Sequence, residues 1–471
     1  MAKNPPGRRT RGLAVVLAVA LVVPLGAYFY AQSSAPSIHT IQSLQVKAQA
    51  SPFLLEYPTP DAEALPNAIA VDSSGNVWTV LQNRTELVEF TPATSSFRTF
   101  PFPLPVGTKV MTWGLAVDNS RRLVWVADET SDVIWCFNMS SSTFRETPIP
   151  TVGATPFQIV LDSRGNAWFT EFVGDKIGAV STSGVLTEIP IPIVGNPTGI
   201  TIDSQGRIWF NLLQTGGLSD LYYVGSYYGG SFSFYNLTNR VDTPVGIAVD
   251  SGGHVWLTQH GASLLSEYYP ATGEIKTFST SIPEVGASLP YFVYVNPTNG
   301  NIWFNEHYGN AIGEFNPTTD QMVEYHVPSG PSTYGNISGV LTMNLAASGV
   351  PWFSEVYTGK IGTLNYTTPL HLSLALNGVN QGQIIPVSNG SSASLQVTVT
   401  GTGSGPELLS AAVGNATNPL QFSFLPGSGT GNFTSTLTIS DSSTLKGNYF
   451  VTVSVASGYL TMSQVVEVES G

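Results

Sequence analysis

The chain has few charged residues and almost no cysteine. Asp, Glu, Lys and Arg make up 10% of its 471 residues, whereas 42% are hydrophobic and 11% are aromatic. The single cysteine, Cys136, excludes an intrachain disulfide and is best explained as a small buried apolar side chain. Because aromatic residues are plentiful beside 47 Gly and 32 Pro, the composition excludes a disordered chain and favours β-structure with many turns.

Positive charge is also scarce. The 18 Lys and Arg residues face 31 Asp and Glu, which gives a formal net charge of −13. Such a chain repels phosphate backbones, so the composition argues against a nucleic acid partner and is compatible with bound cations. Gly-x-Ser-x-Gly, His-Glu-x-x-His, phosphate-loop and Cys–His patterns are also missing, so no common motif identifies a reaction.

The N-terminus combines a basic tip with one long apolar run. Residues 12–31 are uncharged and number twenty, enough to span a bilayer of about 30 Å. We predict a cytoplasmic tip and a transmembrane anchor over residues 1–31, with a cleaved signal peptide as the alternative. A polar stalk follows over residues 32–51. The bulk of the chain is then extracellular, held at the cell membrane by one span or secreted if the signal is cleaved.

Eight Asn-x-Ser/Thr sequons agree with an extracellular location and predict a glycoprotein. They begin at Asn83, Asn138, Asn236, Asn336, Asn365, Asn389, Asn415 and Asn432.

A tryptophan-centred repeat runs through the middle of the chain. Seven copies lie 41 to 49 residues apart, with their tryptophans at Trp78, Trp125, Trp168, Trp209, Trp256, Trp303 and Trp352. In each copy an apolar strand ends at Asp or Asn, a polar turn follows, and a second strand carries the tryptophan. Two more strands follow in most copies, the last running into proline. Four strands per repeat of this length predict an all-β, seven-bladed β-propeller over residues 52–366.

The seventh copy ends without a clear fourth strand, whereas "LLEYPTP" (54–60) precedes the first copy and has the sequence of one. We therefore expect the N-terminal strand 54–60 to complete the last blade and close the ring. Residues 370–471 have a different sequence pattern, in which short stretches of alternating apolar and polar residues are separated by Gly, Ser and Asn. This pattern predicts a C-terminal immunoglobulin-like β-sandwich.

The repeat resembles the virginiamycin B lyase (streptogramin lyase) family of seven-bladed propellers. The resemblance rests on "ITIDSQGRIWF", "WFTEFVGDKIGAVSTSGVLTEIPIP" and "FNEHYGNAIGEF", and it covers the seven copies, about two thirds of the chain. It implies a propeller, an elimination that opens a cyclic depsipeptide at its ester, a magnesium ion and a histidine base in a loop of the form Pro-His-Gly/Ala-Ile. The corresponding positions here are Phe157, Thr198, Val245, Tyr291 and Ile337. The expected catalytic histidine loops are therefore lacking.

Candidate site residues come from the loops at one end of the blades. The residue three places after each tryptophan begins such a loop, and four of the seven are carboxylates: Asp128, Glu171, Glu306 and Glu355. They are candidates for a ring that binds Mg²⁺ or Ca²⁺, because hard ions take oxygen ligands. His260 and His307 follow in neighbouring blades and are candidates for ligand binding or proton transfer. The alternative is that each carboxylate holds its own loop.

Aromatic residues supply the other ligand-binding candidates. Tyr222 and Tyr223 lie in a long insertion of the fourth copy, and Trp113 lies in the loop that enters the second. Tyr291 stands at one of the positions where the family resemblance implies histidine. Tyrosine and tryptophan suit sugar rings or peptides, although packing in the blades is the alternative for each.

Two functions follow from these features. The first is a membrane-anchored extracellular propeller that binds a glycan, a peptide or a protein on its loop face. The second is a divalent-cation-dependent lyase, or a lactonase-type hydrolase such as the regucalcin-like and gluconolactonase-like propellers.

Overall fold

The structure, a computed structural model, describes residues 51–105, 107–214, 220–238, 240–280, 287–328, 338–402, 405–414, 420–441 and 446–471. The span Ala48–Gly471 forms one compact unit. The predicted anchor, residues 1–31, and all but residue 51 of the predicted stalk lie outside the described residues. The helices of the described part are short 3-10 turns at Pro92–Thr94, His260–Ala262 and Val356–Thr358, and none is long and apolar enough to cross a membrane.

Six antiparallel sheets of four strands and four consecutive strands of a larger sheet, numbered here as blades 1 to 7, follow the seven sequence copies. Blades 1 and 2 comprise Pro66–Val71, Val77–Leu81, Glu86–Thr91 and Ser96–Pro101, then Gly114–Asp118, Leu123–Asp128, Val133–Asn138 and Thr143–Pro148. Blades 3 and 4 comprise Pro156–Leu161, Ala167–Glu171, Lys176–Val180 and Leu186–Pro190, then Asn196–Ile202, Ile208–Gln214, Leu221–Tyr228 and Ser231–Asn236. Blades 5 and 6 comprise Pro244–Val249, Val255–Gln259, Leu264–Tyr269 and Glu274–Ser279, then Pro290–Val295, Ile302–Glu306, Ala311–Asn316 and Gln321–His326. Blade 7 comprises Val340–Leu345, Pro351–Glu355, Lys360–Leu364 and Leu54–Pro58.

The blades follow one another around a closed ring, as in a propeller. The first strand of each blade contacts the first strand of the next, and the first strand of blade 7 contacts that of blade 1. Blade 7 takes its fourth strand from the N-terminal side, where Leu54–Pro58 pairs antiparallel with Lys360–Leu364. This pairing ties the two ends of the ring together. The predicted all-β fold is confirmed.

The recurring Asp-turn-Trp pattern has a specific structural cause. In blade 4, Asp203 Oδ1 accepts the backbone N–H groups of Gln205 and Arg207, both at 2.9 Å, while its Oδ2 accepts the indole N–H of Trp209 at 2.9 Å. One carboxylate therefore holds the turn and fixes the tryptophan that packs between blades. The same three bonds form in blades 1, 3 and 5.

In two blades the indole N–H of the tryptophan is buried without this bond. The indole nitrogens of Trp125 in blade 2 and Trp303 in blade 6 are buried and have no hydrogen-bond partner among the described residues. In blade 6 the turn residue is Asn296, whose amide nitrogen donates to the Gly349 carbonyl in blade 7 instead. The repeat thus tolerates loss of this bond where packing alone holds the indole.

The C-terminal residues form two further sheets that pack face to face. One sheet contains Leu372–Asn377, Ser392–Gly401, Phe433–Asp441 and Leu420–Leu425 in that spatial order. The other contains Leu460–Ser470, Gly447–Ser457, Glu407–Val413 and Ser428–Gly429, with Ile384–Val387 paired parallel to Leu460–Ser470. Buried side chains from both sheets, including Val397, Leu437, Val453 and Val466, share one apolar core.

The second C-terminal sheet is continuous with blade 6. Leu460–Ser470 pairs antiparallel with Gln321–His326, so nine strands form a single sheet. Blade 5 adds a bond from the Ser279 N–H to the Thr452 hydroxyl at 3.1 Å. The C-terminal region therefore pairs with the outer edge of blade 6, which would otherwise present unpaired backbone groups.

Candidate functional site

The two ends of each blade differ in character. We call the end that carries the Asp turns between the first and second strands the turn face. The opposite end, where the second strand ends and where the chain enters each blade, is the loop face. Trp113, His260, Tyr291 and His307 all lie on the loop face.

The structure brings these four predicted residues together. Tyr291 lies at the centre: its ring centroid is 5.4 Å from that of Trp113, 5.5 Å from that of His260 and 5.9 Å from that of His307. The two imidazoles stack in parallel, 5.0 Å apart with an interplanar angle of 6°. Phe157 joins through Trp113 at 5.8 Å. We call these five residues, which come from blades 2, 3, 5 and 6, the aromatic–imidazole cluster.

Burial keeps both histidines of the cluster uncharged. It lowers the pKa of His307 to about 4, although a bond to the Leu289 carbonyl opposes the shift. The pKa of His260 falls well below its usual value, because of burial first and the neighbouring His307 second. His307 Nδ1 lies 3.2 Å from the Leu289 oxygen, so in the neutral ring Nδ1 carries the proton and Nε2 is left as an acceptor.

A carboxyl group that was not among the predicted site residues lies beside the cluster. Glu129 Oε2 accepts the indole N–H of Trp113 at 3.1 Å. Burial raises the pKa of Glu129 to about 8, with the nearby Asp128 carboxylate adding to the shift. The other oxygen, Oε1, is buried and has no hydrogen-bond partner in the described structure. At neutral pH this group is therefore largely protonated and has one oxygen free for a ligand.

The cluster lies at one end of the central channel. A cavity of about 400 Å³ runs between the inner strands, and its lining includes Trp113 together with Gln158, Tyr294 and Thr342. The face of the cluster away from the channel is only half-buried at His307 and at the neighbouring Phe172. A ligand on the loop face would contact these rings first.

The four candidate metal carboxylates are placed differently. Asp128, Glu171, Glu306 and Glu355 are all fully buried and lie in four different blades. Asp128 accepts the Thr130 N–H at 3.0 Å and the Trp135 indole N–H at 3.2 Å. Glu355 Oε2 accepts the Thr358 hydroxyl at 3.0 Å. Each of these two acids thus holds its own loop, which is the alternative considered for them from the sequence.

The remaining two acids are buried in less polar surroundings. Burial raises the pKa of Glu171 to about 8, with the adjacent Glu188 adding to the effect. It also raises the pKa of Glu306 to about 8, where Ser288, Glu324 and Thr280 are the nearby polar groups.

A magnesium ion shared by these acids does not fit the described residues. Only one group of three metal-ligating side chains lies close together in the described ranges, and it contains none of the four. The physical reason is that each acid lies at the end of the second strand of its own blade. Its side chain contacts groups of that blade or of the loop that enters it.

Tyr222 and Tyr223 lie away from the cluster, in the third strand of blade 4. Tyr222 packs beside Trp209 and Leu237, and its hydroxyl lies 3.4 Å from Asp242 Oδ1. Tyr223 packs against the apolar core between blades 3 and 4. Of the residues that follow the repeat prolines, Phe157 and Tyr291 belong to the cluster, whereas Ile337 lies outside the described residues.

Sequence reasoning missed Glu129 and Phe157 as site residues. Glu129 follows Asp128 by one place, just as His260 and His307 follow Gln259 and Glu306. The residue four places after the repeat tryptophan is therefore the position that faces the cluster, and it was recognisable from the alignment of the copies. Phe157 was noted only as a place where histidine is absent.

Comparisons with known proteins agree with this architecture. The sequence profile of the Virginiamycin B lyase family matches residues 52–339. A streptogramin B lyase structure is 25% identical, covers 66% of this chain and 97% of its own, and superimposes with a TM-score of 0.56. Virginiamycin B lyase from Staphylococcus aureus is 21% identical over 66% of this chain and 98% of its own, with a TM-score of 0.57. A catalytically inactive variant of that enzyme with quinupristin gives the same values. Among curated proteins, no sequence matches significantly.

Proposed function

Because the chain belongs to the Virginiamycin B lyase family, we propose that it binds a ligand on the loop face of the propeller, at the aromatic–imidazole cluster. One observation carries the proposal: rings from four blades converge beside Glu129, whose buried Oε1 has no hydrogen-bond partner in the described structure. Buried polar atoms without partners are rare unless a water or ligand completes them.

The electrostatics of the cluster define the class of ligand. His260 and His307 are neutral, and Glu129 is largely protonated near neutral pH. A site without formal charge favours an uncharged ligand portion that stacks on aromatic rings and offers hydrogen-bonding groups. A sugar ring of a cell-surface glycan or an aromatic side chain of a peptide has this chemistry.

Location and domain roles are part of the same proposal. Residues 12–31 anchor the chain in the cell membrane, and the sequons support an extracellular propeller. The two C-terminal sheets form an immunoglobulin-like unit that acts as a spacer or adhesion module. Their continuity with blade 6 supports a rigid connection, because a shared hydrogen-bond ladder leaves no flexible linker between them.

Binding is tested with the purified full-length chain against an array of cell-surface glycans and aromatic peptides. We expect saturable binding that falls at least tenfold in Tyr291→Ala, with quenching of indole fluorescence that is lost in Trp113→Phe. Tyr228→Ala is the matched control, since Tyr228 is 53% exposed at the turn-face end of blade 4. Equal binding by wild type and Tyr291→Ala would contradict the proposal.

A second candidate, a lyase acting on a cyclic depsipeptide, is favoured by the family and by one feature of the cluster. His307 Nε2 is an acceptor that would take a proton from the substrate carbon next to the one that bears the ester oxygen. The bond between that second carbon and the oxygen would break as a carbon–carbon double bond forms, and protonated Glu129 would donate its proton to the departing carboxylate. The low pKa of His307, about 4, makes this imidazole a weak base at neutral pH. Binding without turnover is therefore the better supported function.

Quinupristin separates the two candidates. The full-length chain is incubated with it, with and without added Mg²⁺, and the product is analysed by mass spectrometry after chromatography. We expect the antibiotic to remain cyclic. A linear product of unchanged mass, lost in His307→Asn, would establish the lyase instead.

A further inference from the structure

Blade 5 places a histidine between two carboxylates on the turn face. His254 Nδ1 lies 3.2 Å from Asp250 Oδ2 and 3.0 Å from Glu267 Oε1. The three ligating atoms lie within 4.8 Å of one another and form the one group of this kind among the described residues. We call Asp250, His254 and Glu267 the trio. The Glu267 side chain is 9% exposed and that of His254 is 36% exposed, so the trio is buried in the blade at Glu267 and open to solvent at His254.

Blade 1 contains the same arrangement with an amide in place of the imidazole. Asn76 Nδ2 lies 3.2 Å from both Asp72 Oδ2 and Glu89 Oε1. An amide nitrogen carries two N–H groups and can donate one to each carboxylate, whereas an imidazole Nδ1 carries at most one. In blade 5, therefore, His254 Nδ1 can donate a hydrogen bond to only one of the two carboxylates, and its contact with the other carboxylate has no hydrogen between the two atoms.

The cationic partner of the buried glutamate also differs between the two blades. In blade 1 the Arg98 guanidinium pairs with Glu89 Oε2 at 2.9 Å. In blade 5 the corresponding Lys276, which is opposite Glu267 in the strand register, instead places its ammonium 5.2 Å from the centre of the Tyr269 ring. Glu267 thus lacks the direct ion pair that its counterpart has.

We propose that Asp250, His254 and Glu267 bind a divalent transition-metal ion, with Zn²⁺ as the best fit. Metal–ligand bonds of about 2.1 Å place neighbouring ligand atoms about 3.0 to 3.4 Å apart, which matches both measured contacts of His254 Nδ1. One imidazole with two carboxylates suits zinc better than Mg²⁺ or Ca²⁺, which prefer oxygen ligands alone. An ion at this point satisfies both carboxylates and needs no proton on Nδ1.

Neighbouring groups hold the ligands in place. The Trp256 indole N–H donates to Asp250 Oδ2 at 3.0 Å, and Asp250 Oδ1 is fixed by two backbone N–H groups of its turn. The Tyr269 ring lies 4.4 Å from the His254 imidazole. Such outer contacts orient ligating side chains and strengthen metal binding.

The open side of the trio faces a large cavity. The cavity measures about 1080 Å³ and lies between the turns of blades 5 and 6 and the C-terminal strands, with Asn299, Gln381 and Gln464 among its lining residues. Three protein ligands leave at least one position on the ion for water or for an oxygen-bearing ligand from this cavity. The site is separate from the aromatic–imidazole cluster, which lies on the opposite face.

The test is titration of the chelator-treated, dialysed full-length chain with ZnCl₂ by isothermal titration calorimetry. We expect one saturable equivalent, and a loss of affinity of about 100-fold or more in His254→Asn. Asn76 shows that an amide fits this position, so the variant should fold, as near-ultraviolet circular dichroism would verify. Co²⁺ titration adds a second readout, since visible absorption bands report nitrogen and oxygen ligation directly and should vanish in the same variant.

His371→Asn is the matched control, because His371 stacks on Phe53 outside the trio, and its zinc affinity should equal that of wild type. Glu267→Gln should also lose binding and serves as the second variant if His254→Asn is unfolded. The proposal fails if wild type shows no saturable equivalent, if both trio variants bind as wild type does, or if only Ca²⁺ binds.

Discussion

Acidic side chains at the two ends of the blades differ in their electrostatics. On the turn face, Asp118 and Asp162 accept backbone and side-chain hydrogen bonds that outweigh the effect of burial, so the pKa of each is lowered. On the loop face, burial dominates and raises the pKa of Glu129, Glu171 and Glu306 to about 8. Hydrogen bonds therefore favour the ionised state of these two turn-face aspartates, whereas burial favours the protonated state of these three loop-face glutamates.

The difference follows from the donors available at each end. A tight turn points several backbone N–H groups at one carboxylate, which stabilises the charge. On the opposite face, Glu129 accepts one indole N–H, and its buried Oε1 has no hydrogen-bond partner in the described structure. The charged carboxylates of the turns thus stabilise the fold. The loop face instead has neutral polar groups, which are suited to ligand binding.

The largest expected effect comes from removing a turn-face acid. Asp203→Ala takes the acceptor away from two backbone N–H groups and the Trp209 indole. We expect a loss of about 3 kcal/mol in the free energy of unfolding, measured by urea denaturation. Asp203→Asn retains one side-chain oxygen acceptor and should lose less. A change within experimental error for Asp203→Ala would show that the turn does not depend on this carboxylate.

A second effect is expected from pH, with opposite signs for the three buried loop-face glutamates and for Asp118 and Asp162. A loop-face acid with a folded pKa near 8 binds more protons in the folded than in the unfolded state between about pH 4.5 and 8, so stability falls as pH rises through this window. Glu306→Gln should remove this pH-dependent loss of stability between pH 5 and 8.

Asp118 and Asp162, whose pKa values are lowered, act below this window. Their stabilisation is complete above the ordinary pKa of aspartate and is lost as pH falls through the lowered folded value. Urea titrations at a series of pH values check both effects, with Asp162→Asn as the turn-face counterpart of Glu306→Gln. Identical pH profiles for Glu306→Gln and wild type would contradict the assignment of a raised pKa to Glu306.

The smallest expected effect separates tryptophans with and without a hydrogen-bond partner. Trp209→Phe removes the bond to Asp203, whereas Trp303→Phe removes an indole nitrogen that has no partner among the described residues. Both variants lose packing volume, so only their difference is informative. We expect Trp209→Phe to cost about 1 kcal/mol more, measured by thermal unfolding. Equal losses would show that packing, not the hydrogen bond, fixes both indoles.

Most strands were predictable because their sequence pattern is local. Ser392–Gly401 and Gly447–Ser457 have the alternation noted for residues 370–471, since alternating side chains on a half-buried strand leave a period-two signal. Glu407–Val413 gives no such signal, because its sequence, "ELLSAAV", does not alternate. The pairing of Leu460–Ser470 with blade 6 could not be predicted, because any exposed strand edge offers the same backbone groups.

The candidate site was predictable only in part. The sequence pointed to Trp113, Tyr291, His260 and His307 individually, and the structure places them in one cluster. It pointed equally to the four candidate metal carboxylates and to Tyr222 and Tyr223, which lie outside the cluster. The blade 5 trio had a recognisable signal, since the residue two places before the repeat tryptophan is Asn76 in blade 1 and His254 in blade 5, but no rule assigns that position to a site.

The sequence by itself determined the repeated blade, because strand alternation and the Asp-turn-Trp bonds depend on residues within one copy. Only the tertiary structure decided which polar groups meet. The ring closure brings Trp113, His260 and Tyr291 together from blades that lie far apart along the chain. It also sends Asp128, Glu171, Glu306 and Glu355 into separate buried surroundings. The physical reason is that a contact between blades depends on the curvature of the closed ring, which no single copy encodes.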